Sequence, residues 1–235
     1  MTINGVGTAV PAGIEGVRNF RDAGGFGSLQ PGVLYRSGAL HAMSEKGACK
    51  LGDLGVRAVV DLRSHPEITD RPDTLHGAAI RYLHVPVFTE RRWPQEQMEL
   101  YPSMAEHSGR AVLAVIRHLR AEGKGPILVH CASGKDRTGV VVALVQTLFG
   151  ASEAEVVGDF VRSNAELCLP VAQPSGPRGH NTLPVAAGHL RRALLWIRSH
   201  YGSVPAYLQA QGATEEDLSL LPGKRSTAHL PATPS

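Results

Sequence analysis

The 235 residues, 43% hydrophobic and 19% charged, are the make-up of one ordinary globular domain. A net charge of +3 with histidines neutral argues against a general nucleic-acid binder, while leaving room for a local basic pocket. Three cysteines, Cys49, Cys131 and Cys168, are too few and too scattered for a disulfide framework or a zinc site, so a reducing, cytoplasmic setting is expected.

No secretory signal is read in Met1–Ile14, and no apolar run approaches the ~20 residues of a membrane span. Residues 1–14 are expected to be loose or strand-like, and Val17–Gly27 to be rich in turns. Val33–Ser37 reads as a short strand. Ser44 caps a helix running to about Leu54, which Gly55 ends. Val56–Asp61 and Ile80–Val87 read as strands. Glu90–His107, polar and broken by proline, is expected to cover the active site. Gly109–Glu122 has a helical apolar face, and Pro126–His130 reads as a third strand. Thr138–Phe149 is apolar almost all round, the mark of a helix buried in the middle of a fold. Ser152 and Glu155 form a capping-box pattern for the next helix. Gln173–Pro184 reads as a loop, Ala186–Tyr201 as a helix, and Val204–Leu221 as two short helices. The expectation is one α/β domain over residues 1–222, with a mainly parallel central sheet flanked by helices and a disordered tail at 223–235.

In such sheets ligands bind beyond the carboxyl ends of the strands. The third strand ends at His130, so the next residues, Cys131-Ala132-Ser133-Gly134-Lys135-Asp136-Arg137-Thr138-Gly139, occupy that position. A glycine-containing loop entering a helix turns successive N–H groups inward, and the helix N-terminus adds positive potential. Arg137 can hold two phosphate oxygens with its planar fork. Cys131, at the base of this cradle, is placed for in-line attack on a bound phosphate. A lone cysteine is more often a small buried hydrophobe, which is the expectation for Cys49 and Cys168. The full pattern around Cys131 argues otherwise.

The His-Cys-(five residues)-Arg-Thr-Gly pattern resembles the protein tyrosine phosphatase superfamily. Gly134-Lys135-Asp136-Arg137-Thr138-Gly139 is similar to its bacterial and fungal tyrosine/serine phosphatases. Asn19-Phe20-Arg21-Asp22-Ala23-Gly24-Gly25, Leu34-Tyr35-Arg36-Ser37-Gly38, Val60–Glu67, and Tyr207-Leu208 with Gly212 and Glu216-Asp217-Leu218 extend the resemblance over about residues 15–222. It implies the cysteine-phosphatase fold and hydrolysis through a phosphocysteine on Cys131, with no metal or cofactor. Arg137 and the backbone of residues 132–137, among them Ala132, Ser133, Gly134 and Lys135, would stabilise the phosphoryl charge. Thr138 would donate a hydrogen bond to the sulfur.

Three groups compete as the acid for the leaving group. Asp136 is the one the resemblance favours, and a salt bridge to Arg63 or Arg137 is its structural alternative. Glu90 is the second. Trp93-Pro94-Gln95 resembles an acid loop whose acidic residue is here Gln95. Lys135 is either a second cation for substrate, which would suit phosphoinositides, or a partner for Asp61. Asp61 and Arg63 are expected near the mouth, His130 as a loop-orienting side chain, and Arg21 and Asp22 as ties of the N-terminal turn. The substrate would be a phosphorylated protein, lipid or small molecule. A small-metabolite phosphatase, a silent phosphate-binding module and a rhodanese-type sulfur carrier are the competing functions.

Overall fold

The computed structural model describes residues 13–94, 96–121, 123–170 and 182–219. The expected tail at 223–235, nearly all of the N-terminal lead-in and most of the 173–184 loop lie outside them.

Five strands form one sheet in the order β1-β2-β5-β3-β4: β1 (Arg21–Asp22), β2 (Leu34–Ser37), β3 (Ala58–Asp61), β4 (Arg81–His84) and β5 (Ile127–His130). All neighbours are parallel except β1 and β2. β1 falls inside the segment expected to be turn-rich, because two residues are too short to show an alternating pattern.

The central strands are apolar on both faces. Leu34, Ala58, Val60, Ile127 and Val129 face one core; Tyr35, Val59 and Leu128 face a second. This is the alternation of a sheet covered on both sides. The second core is closed by α1 (Glu45–Asp53), whose Ser44 cap accepts from Gly47 N. After β3 comes α2 (His65–Asp70), and after β4 comes α3 (Gln97–His107), which lies on the first core. The stretch across 90–107, read as polar and broken by proline, thus holds a helix. Pro102 sits inside α3 and costs a backbone hydrogen bond, but the helix buries Leu100, Tyr101, Met104 and Ala105, and that burial outweighs the loss.

α4 (Gly109–Arg120), α5 (Arg137–Leu148), α6 (Glu153–Glu166), α7 (Ala187–Tyr201) and α8 (Val204–Ala210) complete this side, and α9 (Glu215–Leu218) packs on α4. α5 is buried along nearly its whole length, as its all-round apolarity requires. In register, Ser37 and Asp61 both lie level with His130. Three chain segments thus leave the sheet side by side, at the edge where the Cys131 loop begins.

Candidate active site

Residues 131–136 run from β5 to α5. Gly134 has φ +72°, and a Cβ there would lie 2.2 Å from Ser37 O. Only glycine allows the loop to turn this close against β2. Three consecutive loop carbonyls accept from outside the loop: Ala132 O from Ala39 N at 3.1 Å, Ser133 O from Asn19 Nδ2 at 3.2 Å, and Gly134 O from Arg36 Nη2 at 2.9 Å. Ala132 and Ser133 are half-buried, and Cys131 is buried.

Arg137 opens α5 and is also buried. Its Nη1 and Nη2 donate to Glu67 Oε2 and Oε1 at 2.6 and 2.7 Å. Its guanidinium carbon lies 5.4 Å from the Trp93 ring centroid, a cation–π contact. Burial alone would lower the Arg137 pKa; Glu67, Cys131 and Asp136 reverse this and raise it. Glu67 also accepts from Ser64 N and Oγ at the start of α2. One carboxylate therefore ties α2 to the first residue of α5. The Ser64–Glu67 spacing of a helix start marks this carboxylate in the sequence, but nothing local ties it to Arg137.

Burial works against the Glu67 carboxylate, but the Arg137 fork and the Ser64 donors hold its pKa at about 2, against 4.5 ordinarily. Its contribution to stability is then fully present above about 4.5 and is lost as the pH falls through about 2. Glu67→Gln should show a stability deficit near neutral pH that closes between these two values in acid unfolding titrations. A deficit that does not change with pH would rule out the ion pair as its source.

Asp136 is buried, and both its oxygens are engaged. Tyr101 Oη donates to Oδ1 at 2.5 Å, and Lys135 Nζ donates to Oδ2 at 2.6 Å. The expected partners are thereby revised. Lys135 is 1% exposed and meets Asp136, not Asp61. Among the described residues, Asp136 pairs directly with Lys135, not with Arg63 or Arg137. Tyr101, in the stretch broken by proline, stacks on His189 at 4.9 Å. Burial and the Asp136 charge raise its pKa well above the ordinary value.

Asp61 and Arg63, expected at the mouth, instead form a closed buried network, with exposures of 0% and 2%. Arg63 donates to Asp61 through Nε and Nη2 and to Arg71 O, and lies 2.9 Å from Asp73. Tyr82 Oη donates to Asp61 Oδ2 at 2.6 Å. Burial opposes the Asp61 carboxylate; His130 and Arg63 prevail and lower its pKa. His130 has Nδ1 3.3 Å from Cys131 O and Nε2 3.1 Å from Asp73 Oδ2. Burial opposes its charge, and Asp61 and Asp73 overcome this and raise its pKa. Asp61, Asp73 and His130 lie close enough together to suit a cation, but the Arg63 guanidinium already supplies the positive charge at that place.

Thr138 Oγ1 is buried without a hydrogen-bond partner among the described residues, so the expected bond to the Cys131 sulfur is not formed here. Glu90 is exposed, and Gln95 lies outside the described residues. Asp22 does tie the N-terminal turn, accepting from Gly24 N and Gly32 N, both at 2.7 Å. Arg21 ties the same segment through Asn19 O and Oδ1, and crosses from it to Asp159 of α6.

Residues 12–224 match the tyrosine phosphatase family. The chain is similar to the triple specificity protein phosphatase PtpB of Mycobacterium tuberculosis, 26% identical over 273 residues covering 89% of this chain and 97% of PtpB. It is also similar to a tyrosine-protein phosphatase of Nostoc commune, 27% identical over 213 residues covering 80% and 72% of the two chains. Among solved structures, TpbA of P. aeruginosa aligns over 87% of this chain and 96% of its own, at 19% identity and a TM-score of 0.47. No helix among the described residues is long and apolar enough to cross a membrane. With a match spanning nearly its whole length, the chain belongs to the tyrosine phosphatase family and is a phosphatase.

Proposed function

We propose that this phosphatase hydrolyses phosphomonoesters through a phosphocysteine on Cys131, with phosphotyrosine proteins as its main substrates. The observation that carries the mechanism is the buried Cys131 at the foot of a six-residue loop that ends on a buried, carboxylate-held Arg137. The Cys131 thiolate attacks phosphorus in line, the bond to the leaving oxygen breaks, and Asp136 gives that oxygen a proton. Water then attacks the phosphocysteine, the P–S bond breaks, and Asp136 takes the water's proton. Arg137 and the loop amides stabilise the equatorial oxygens throughout. Neither step calls on a metal.

Both Asp136 oxygens accept hydrogen bonds, and the second step uses the carboxylate form. The first step needs the protonated form, and the choice of leaving group reports it. Asp136→Asn should slow an alkyl phosphate about 100-fold or more while slowing phosphorylation by an aryl phosphate with a good leaving group far less. Equal loss on both substrates, read by single-turnover kinetics, would remove Asp136 as the acid.

PtpB is named for triple specificity, and that breadth raises phosphoserine, phosphothreonine and phosphoinositides as further substrates. The burial of Lys135 against Asp136 weighs against its serving a second phosphate, which favours phosphotyrosine. A turnover panel of phosphopeptides, inositol phosphates, nucleotides and sugar phosphates tests this. Preference for a nucleotide or sugar phosphate would replace the protein-directed reading with a metabolic one.

A further inference from the structure

The structure assigns to Arg36 and Asn19, braced by Arg21 and Asp159, the aiming of the amide groups of the phosphate cradle. This rests on residues 131–137 being the phosphate site proposed above. The motifs around residues 19–25 and 34–38 supply three of these residues, and the chemistry of Cys131 and Arg137 leaves all three without a role.

In a planar trans peptide, the carbonyl of one residue and the N–H of the next point in opposite directions. Holding Ala132 O, Ser133 O and Gly134 O outward therefore turns the N–H groups of Ser133, Gly134 and Lys135 inward. The three outside donors are Ala39 N, Asn19 Nδ2 and Arg36 Nη2. The first belongs to the backbone. The other two are side chains, and both lead to one carboxylate.

Arg36, in β2, is fully buried. Its Nη2 reaches Gly134 O and its Nη1 donates to Asp159 Oδ2 at 2.6 Å. Asp159, on α6, also accepts from Arg21 Nε at 2.8 Å, and its backbone oxygen accepts from Arg21 Nη2 at 2.8 Å. Arg21 Nη1 in turn donates to Asn19 Oδ1, which orients the amide that holds Ser133 O. Asn19 has φ +57°, a conformation that asparagine tolerates better than most residues. Burial opposes the Asp159 charge, but Arg36 and Arg21 lower its pKa.

Two arginines on one aspartate leave a net positive charge buried beneath the loop. The packing there is close, since a Cβ at Gly139 of α5 would lie 2.6 Å from the Phe160 ring and 3.4 Å from Arg36 Nη2. The four side chains touch loop carbonyls or one another, so they are positioning residues.

The test measures inhibition by orthovanadate and inorganic phosphate, together with kcat and KM on p-nitrophenyl phosphate, for wild type, Arg36→Lys and Asn19→Gly. Lysine cannot reach Gly134 O and Asp159 together as the fork does. Glycine removes one amide while accepting the positive φ, so it keeps the test open if the Arg36 variant does not fold. Each variant should weaken anion inhibition and lower kcat/KM by roughly 10- to 100-fold, the scale of one hydrogen bond involving a charged group. Variants that lose thermal stability but keep wild-type anion inhibition and kcat/KM per folded molecule would overturn the positioning role alone. A wild type inhibited by neither anion would overturn the phosphatase mechanism along with it.

Discussion

Cys131→Ser should leave a folded protein that still binds phosphate but turns over aryl phosphates about 10,000-fold more slowly or worse. The change swaps one atom for another at a site that is 2% exposed, so packing is nearly conserved. A serine hydroxyl does not ionise near neutral pH as a thiol can, and it makes a far poorer nucleophile and leaving group. The wild type should also yield a phosphorylated species at Cys131 on rapid acid quench, seen by mass spectrometry, and the variant none. Turnover within tenfold of wild type would eliminate Cys131 as the nucleophile, whatever else the loop binds.

Arg137→Lys should cost about 1,000-fold in kcat/KM, in the range seen for lost oxyanion donors and transition-state arginines. Lysine keeps the charge, so net electrostatics alone predict a small effect. The fork is what is lost. Both terminal nitrogens of Arg137 are on Glu67, which fixes the plane of the guanidinium before substrate arrives. A lysine meets the carboxylate as a point charge that fixes no plane, and it offers no planar pair to the equatorial oxygens. A loss under tenfold in steady-state kinetics would show that charge alone suffices there and that the Glu67 clamp is structural.

These two predictions differ in where they are legible. Cys131 and Arg137 stand out in ten contiguous residues, because a strand end, a glycine turn and a helix start impose the cradle locally. The role of Glu67 depends on a side-chain contact between α2 and the start of α5, 70 residues further along the chain. Tyr101 is concealed for another reason. Pro102 and the polar stretch before it obscure the apolar face of α3, and only the packing of that face on α5 and α7 makes a helix of it. Lys135 reads in the sequence toward either substrate or Asp61, but the side chain folds back on its own neighbour, Asp136.

By itself, the sequence determined the α/β class, the parallel sheet, the buried helix α5 and the loop from Cys131 to Arg137. Each depends on periodicity or on residues adjacent in the chain. Only the tertiary structure decided how the charges pair: Arg137 with Glu67, Asp136 with Lys135 and Tyr101, Arg63 with Asp61 and Asp73, and Arg36 and Arg21 with Asp159. A charge carries no local preference for a partner. Its choice is made by which carboxylate is buried within reach, and for Asp159 that reach spans 123 residues to Arg36 and 138 to Arg21.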